Sequence, residues 1–132
     1  MRNESDTYHV NSNTFSKAER LRHKKIIEEL FKNGSSSFLY PFLFKYLPLQ
    51  ETDDQRFHQL LISVPKKHIK KAHARNLVKR RIREVFRTNK QLIYPAETKY
   101  YIAVVYVGKD IVTFDLLRNK LIKVLKRLPI SK

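Results

Sequence analysis

The 132-residue chain contains no cysteine, no tryptophan and only two glycines. Without cysteine it forms no disulfide bond and offers no thiolate to a metal, which is typical of proteins in a reducing compartment. Two isolated glycines exclude a glycine-rich phosphate-binding loop. No apolar run approaches the roughly 20 residues of a membrane span, and residues 1–13 are too polar for a secretory signal. We therefore predict a cytoplasmic protein without a membrane partner.

Residues that could catalyse a reaction on the chain itself are also scarce. A protein nuclease needs clustered carboxylates for Mg²⁺ or a histidine acid–base pair. The densest acidic group, Glu51, Asp53 and Asp54, lies in a predicted turn, and the five histidines are scattered along the sequence. We predict no catalytic residue, no metal site and no cofactor bound by the chain alone.

Positive charge dominates the composition. The chain has 28 Lys and Arg against 12 Asp and Glu, which gives a formal net charge of +16. Self-repulsion of this size destabilises a compact fold unless a polyanion neutralises it. Nucleic acid is the leading candidate, and an anionic membrane surface is second. A membrane-surface helix would favour tryptophan on its apolar face, and the chain has none.

Hydrophobic periodicity predicts one α+β domain over residues 14–132, preceded by a disordered polar tail over residues 1–13. The predicted order is α-β-β-α-β-α: a helix ending near residue 33, strands over 38–47, 56–64 and 99–107, a basic helix over about 72–89 and a last helix over about 114–128. Ser16 and Glu19 match a capping box before the first helix. We expect the first two strands to form a hairpin. The third strand is a nearly continuous run of β-branched and aromatic residues, so we expect it to be central in a small sheet covered by helices.

The helix over residues 72–89 combines a face to be buried with an unusual row of charge. Its apolar side chains fall on one stripe: Ala74, Val78, Ile82, Val85 and Phe86. Beside this stripe, positive residues repeat at every i, i+4 step: Arg75, Lys79, Arg83 and Arg87. Like charges at that spacing repel, and Glu84 is the only acid between residues 66 and 87 against ten Lys and Arg. The basic row therefore indicates a surface that binds phosphates and releases their counterions.

Such a surface suits a protein that recognises folded RNA by shape, although spacing alone does not distinguish RNA from DNA. Asn76, inside the same arc, offers an amide that can hydrogen-bond a nucleic-acid backbone or base edge. Two interpretations from other classes stay open at this point: a structural RNA-binding protein of the ribosome or its assembly, and a non-specific DNA-compacting protein.

The segment KKAHARNLVKRRIRE (residues 70–84) resembles the Arg-Asn-Arg motif of the protein subunit of bacterial ribonuclease P. The matching residues are Ala72, Arg75, Asn76, Lys79, Arg80, Arg83 and Glu84. The segments ISVPKK and ERLRHKKIIEELFKNG are similar to the strand and the first helix of that family, so the resemblance covers nearly the whole chain. Two positions depart from the family pattern: Leu77 replaces the second Arg of the motif, and Ile27 replaces a common aromatic residue.

The resemblance implies a subunit of a ribonucleoprotein endonuclease that removes the 5′ leader from precursor tRNA. In that family the catalytic RNA carries the Mg²⁺-dependent hydrolysis, and the protein has no catalytic residues of its own. The implied partners are the catalytic RNA and precursor tRNA, without an obligate protein partner. The resemblance also implies a left-handed β-α-β crossover around the basic helix, against the usual right-handed rule.

The motif and the basic row together assign RNA binding to nine residues: Lys66, Lys67, Lys71, Arg75, Asn76, Lys79, Arg80, Arg83 and Arg87. The resemblance also implies a cleft between the first helix and the sheet for the single-stranded leader, to which we assign five residues: Ile27, Phe31, Tyr40, Phe42 and Tyr46. The last three share the aromatic, even-numbered face of the strand over 38–47, where bases can stack. That face is either the cleft wall, with the leucines at 39, 43 and 47 packed inward, or part of the core.

Overall fold

The computed structural model describes residues 15–50, 56–94 and 98–129. Its elements are the helices α1 (Lys24–Asn33), α2 (Ala72–Thr88) and α3 (Phe114–Leu125), the strands β1 (Ser35–Leu39), β2 (Phe42–Pro48), β3 (Gln59–Ser63) and β4 (Tyr100–Tyr106), and 3₁₀ turns at Lys17–Glu19 and Lys90–Leu92. The order of helices and strands is α-β-β-β-α-β-α, which confirms the predicted α+β class with one small sheet. The predicted tail over residues 1–13 and the acidic group at residues 51–54 lie outside the described residues.

The main correction to the predicted fold concerns residues 35–48. They form two strands instead of one, because the chain reverses at Tyr40 and Pro41 and β1 pairs antiparallel with β2. Proline has a fixed φ and no N–H for a strand ladder, so it favours a turn over a continuous strand. The three serines that begin β1 resemble a polar break in the sequence, yet β1 is an edge strand, and an edge strand accommodates side chains that face water.

The sheet has the strand order β1-β2-β4-β3, so the predicted hairpin between residues 38–47 and 56–64 is also wrong. β2 pairs antiparallel with β4, whereas β3 pairs with β4 in parallel after the chain has passed through α2. β3, α2 and β4 thus form a β-α-β unit, whose left-handed sense stays a prediction. All seven residues of β4 are buried, which confirms that this apolar strand is central.

Hydrophobic side chains pack on both faces of the sheet. The larger cluster joins α2 and α3 to the sheet and includes Phe42, Ile102 and Tyr106. The smaller cluster joins α1 to the other face and includes Leu21 and Leu49. Each fully buried large apolar side chain contributes about 1.5–3 kcal/mol relative to exposure. Because side chains alternate along a strand, the even-numbered residues of β4 support α2 and α3, and the odd-numbered residues support α1.

A buried ion pair fixes the segment before α1 to the region after α2. The Glu19 carboxylate accepts hydrogen bonds from Lys90 Nζ at 2.7 Å and from the Tyr94 hydroxyl. It also accepts from the Ser16 backbone N–H at 3.0 Å, as the predicted capping box requires. Glu19 and Lys90 are almost fully buried. Removing one partner of such a pair lowers the free energy of unfolding by about 3–5 kcal/mol, because the other charge stays buried without a partner. The capping box therefore belongs to the 3₁₀ turn at Lys17–Glu19 and not to the first helix, because α1 begins only at Lys24.

His58 lies in the same buried region, and its protonation state follows from its two hydrogen-bond partners. Nδ1 accepts from the backbone N–H of Tyr100 at 3.0 Å, so that nitrogen carries no proton, and Nε2 donates to the Ile93 carbonyl at 2.8 Å. Burial lowers the pKa of His58 to about 4; Lys99 lowers it further, while the Ile93 carbonyl and Glu19 oppose the shift. His58 is therefore neutral near pH 7.

Replacing His58 by Gln should remove part of the pH dependence of stability. Because the folded pKa of about 4 lies below the unfolded value of 6.5, His58 stabilises the fold fully above pH 6.5 and progressively less as the pH falls. In the wild type this residue should lower the free energy of unfolding by about 3 kcal/mol between pH ~7 and ~4. Urea denaturation of His58→Gln should show a correspondingly smaller drop. His73→Gln, at an exposed position of α2, is the control, and an equal pH dependence in all three proteins would contradict the prediction.

Candidate nucleic-acid interface

Helix α2 buries one stripe and leaves a basic arc outside. Val78, Ile82, Val85 and Phe86 are buried in the larger cluster, and they recur at the spacing of one helix face. The helix ends where Asn89 Nδ2 donates to the Val85 carbonyl at 2.8 Å. Burial of this stripe turns the remaining arc outward, so the position of the basic side chains follows from that of the apolar ones.

All nine predicted RNA-binding residues lie on α2 or on the loop that precedes it. Five of them are exposed: Lys66, Lys67, Lys71, Asn76 and Arg80. Four are half-buried: Arg75, Lys79, Arg83 and Arg87. The structure therefore brings the nine residues together on one loop and helix, and their role in RNA binding stays a prediction.

Arg75, at one end of the basic row, ties the preceding loop to α2. Its Nη1 donates to the carbonyl oxygens of Ile69 at 2.9 Å and Lys70 at 2.7 Å. Hydrogen bonds from a charged donor are stronger than those between neutral groups, so the guanidinium group holds the loop against the first turn of the helix. Helical periodicity could not predict this role, because both partners are backbone atoms outside the helix.

Arg87, at the other end of the basic row, is paired with Glu84. Arg87 Nη2 lies 2.5 Å from one carboxylate oxygen of Glu84, and Nε lies 3.2 Å from the other. This hydrogen bonding lowers the pKa of Glu84. Both ends of the row are thus engaged within the chain. In the part of the chain that the structure describes, the middle residues Lys79 and Arg83 form no ion pair.

The predicted leader cleft needs correction at β2. Phe42 is fully buried in the larger cluster, with 0% of its surface exposed, so the prediction that it lines a cleft is wrong. Tyr46 lies on the same face of β2 and packs edge-on against Tyr100, with 5.7 Å between ring centroids. Phe42 and Tyr46 therefore belong to the packing beneath α2 and α3, and the odd-numbered residues of β2 face α1. Tyr40 lies in the β1–β2 turn and is 52% exposed.

The register of the sheet shows which residues lie on the side of α1. Phe38 pairs with Leu43, and Leu43 pairs with Val105, so these three side chains form one row on that face. The next row contains Lys45, whose Nζ donates to the Phe31 carbonyl at 2.8 Å. Phe38 is 59% exposed and Phe31 is 37% exposed. We name the surface formed by Phe31, Phe38, Leu43 and Lys45 the cleft face.

Ile27, one turn before Phe31 on α1, is half-buried and packs into the smaller cluster. Alternation along a single strand through Pro41 does not predict the cleft-face residues of β2, because residues 35–48 form two paired strands. The hairpin pairs even-numbered residues of β1 with odd-numbered residues of β2. A face of the sheet that carries even-numbered residues in β1 therefore carries odd-numbered residues in β2. The proline was the one available signal of this exchange.

The described residues also limit the chemistry of the interface. Within residues 15–50, 56–94 and 98–129, none of the helices has the length and hydrophobicity of a membrane span. The same ranges contain no group of three His, Asp or Glu side chains that could hold a metal ion. The interface presents cations, amides and aromatic rings.

Comparisons with known proteins decide the family. The model of the ribonuclease P family matches residues 15–129. This chain belongs to the ribonuclease P protein family. The ribonuclease P protein component of Chlorobium phaeobacteroides is 30% identical to it, over 94% of this chain and 92% of that protein. The component of Porphyromonas gingivalis is 37% identical over 59% of this chain, and the match spans only 56% of that relative's length.

Solved structures of the family share the fold. The ribonuclease P protein of Thermotoga maritima has a TM-score of 0.70 and 32% identity, covering 84% of this chain and 98% of that one. The ribonuclease P protein of Staphylococcus aureus has a TM-score of 0.71 and 30% identity, covering 86% of this chain and 98% of that one. The four-stranded sheet with three helices is therefore the fold of the family.

Arg75→Ala should loosen the loop that precedes α2. The variant loses two hydrogen bonds from one guanidinium group, so the free energy of unfolding should fall by about 1–3 kcal/mol. Hydrogen–deuterium exchange should show faster exchange of the amides at residues 66–71. Arg80→Ala removes an exposed charge from the same helix and should change neither quantity. If the loop amides of Arg75→Ala exchange as slowly as those of the control, Arg75 does not hold the loop.

Proposed function

We propose that this chain acts as the protein component of ribonuclease P. In this role it binds the catalytic RNA and the 5′ leader of precursor tRNA, and it assists the endonucleolytic removal of that leader. The observation that carries the proposal is the basic face of α2, presented by a fold of the ribonuclease P protein family. The alternative role in the ribosome or its assembly is not supported by the family assignment.

Binding of the catalytic RNA is assigned to α2 and its preceding loop. Lys79, Arg80 and Arg83 present positive charge to phosphates, and the guanidinium groups can make two parallel hydrogen bonds to one phosphate. Contacts of this kind position an RNA without reading its sequence. Each neutralised phosphate releases a counterion, so the affinity should fall steeply with salt.

Binding of the leader is assigned to the cleft face. Phe31 and Phe38 have exposed side chains on which single-stranded bases can stack, and Lys45 supplies a positive charge beside the Phe31 carbonyl. Stacking of a base on an aromatic ring is worth about 1–3 kcal/mol and accepts every base. This surface therefore suits leaders of different sequence. Tyr40, exposed in the neighbouring turn, stays a predicted contact.

The Mg²⁺ of the cleavage reaction is assigned to the RNA in this proposal. The contribution of the chain is a set of fixed cations, which neutralise phosphates that free metal ions would otherwise have to neutralise.

Adding the protein to its cognate catalytic RNA should accelerate cleavage of precursor tRNA, and most strongly at low Mg²⁺. The expected cause is the replacement of mobile metal ions by the basic face of α2. Lys79→Ala/Arg83→Ala should lose most of this acceleration. Lys123→Ala/Lys126→Ala, which removes two exposed charges at the end of α3, should keep it. A wild-type protein that leaves cleavage unchanged at every Mg²⁺ concentration would overturn the proposed function.

Phe31→Ala and Phe38→Ala should each weaken binding of precursor tRNA to the holoenzyme while leaving binding of mature tRNA unchanged. The loss of one stacked base predicts a roughly 5- to 150-fold increase in Kd for the precursor. The matched control is Phe114→Ala, because Phe114 is 36% exposed, close to the 37% of Phe31, and begins α3 on the other side of the sheet. Equal increases for all three variants, or an equal effect on mature tRNA, would exclude leader stacking on the cleft face.

A further inference from the structure

A basic groove lies between α2 and the segment that precedes α1. Lys79 and Arg83 line it from α2, and Arg20 and Arg22 line it from the other side. Its floor is part of β3, and its volume is about 450 Å³. The groove thus gives the basic face of α2 a second wall, whose two cations come from outside the helix.

The groove continues along α2 towards the C-terminal end of the helix. A smaller cavity of about 240 Å³ shares Arg20 and Arg83 with the first and adds Arg80 and Arg87. Glu84 also lines this cavity, and its carboxylate lies 2.5 Å from the guanidinium group of Arg87. Of the described residues that line the two cavities, Glu84 is the only acid. The groove therefore carries a large excess of positive charge along its length.

The wall opposite α2 is anchored at two points. The Leu21 backbone N–H donates to the Leu60 carbonyl at 3.0 Å, which joins this segment to the edge of β3. Two residues before Leu21, the Glu19 carboxylate is held by Lys90 Nζ at 2.7 Å in the buried ion pair. The arginines directly before and after Leu21 therefore extend from a backbone with a fixed position.

The shape and charge of the groove fit a run of phosphates better than a single small anion. Cations on two walls repel each other across the gap, and an anion that lies between them relieves this repulsion. A sugar–phosphate strand presents successive charges along its length, so it can contact both walls and both cavities. The apolar side chains of β3 on the floor suit the sugars, which carry no charge.

We propose that this groove grips one sugar–phosphate strand of the catalytic RNA between α2 and the wall formed by Arg20 and Arg22. The inference rests on the RNA-binding function proposed above and adds to it an opposed set of contacts. A helix face alone leaves an RNA strand free to shift sideways. Two walls fix the position and direction of the strand, so the anchored segment before α1 orients the RNA on the protein.

Arg20→Ala/Arg22→Ala should weaken binding of the cognate catalytic RNA by roughly 10- to 100-fold at about 0.15 M salt. The slope of log Kd against log salt should also become shallower by about 1.5, because each lost phosphate contact removes about 0.7–0.9 from it. The matched control is Arg118→Ala/Lys123→Ala, which removes the same charge from exposed positions of α3 and should change Kd by less than about 2-fold. Equal effects of the two double variants would overturn the groove. Failure of the wild type to bind the RNA would instead overturn the proposed function.

A second measurement distinguishes a groove contact from a general loss of structure. The chain contains no cysteine, so Arg22→Cys and Lys79→Cys each provide a single attachment site for an iron chelate that cleaves nearby RNA backbone. Because the two residues lie on opposite walls, both variants should cut the same strand at overlapping nucleotides. Lys123→Cys, on α3, should not cut that strand at those nucleotides. Separate cutting sites for Arg22→Cys and Lys79→Cys would overturn the proposal.

Discussion

The burial of one stripe of α2 against the sheet is the interaction on which the rest of the molecule depends. Four apolar residues of this helix are buried, and each contributes about 1.5–3 kcal/mol. Each like-charge step of the basic row costs only about 0.2–0.5 kcal/mol. Packing therefore exceeds repulsion several-fold, and the folded helix can hold its cations in an arrangement that an isolated helix would disfavour. Binding of an anionic partner relieves this repulsion, which strengthens the binding.

The positive charge of α2 is not evenly available. Arg75 donates to loop carbonyls and Arg87 pairs with the Glu84 carboxylate, so both ends of the basic row have partners within the chain. Lys79 and Arg83, in the middle, line the larger cavity of the groove. Within the basic row, the two cations that form no ion pair among the described residues therefore lie where a second wall of cations faces the helix.

The elements that depend on local periodicity could be predicted from the sequence. The basic helix expected over residues 72–89 is Ala72–Thr88, because its apolar stripe and its charges repeat within the segment itself. The central strand was equally clear, since an uninterrupted apolar run must be covered on both faces. β1 could not be predicted in the same way, because serines have little strand preference and only pairing with β2 makes that segment a strand.

The same distinction separates the predicted and the missed parts of the site. The nine residues on α2 and its loop could be located because a motif and a helical spacing mark them. The alternation of a single strand places Phe42 and Tyr46 on the wrong face, because the hairpin at Pro41 puts the odd-numbered residues of β2 on the same face as the even-numbered residues of β1. Arg20 and Arg22 belong to a segment that resembles the family, but no helical spacing marks them as part of the basic surface. They reach the groove because Leu21 pairs with Leu60, a contact between distant parts of the chain.

The position of β4 has a consequence for how the family can change in length. This strand separates the helix that carries the basic row from the cleft face, and its alternate side chains support the two sides. A substitution in Tyr100–Tyr106 changes the packing on only one face of the sheet, because each side chain of the strand points to one face. Inserting or deleting one residue would reverse every later side chain, so both surfaces would lose their support in a single evolutionary step, and gain or loss of residues is expected in the connecting loops instead.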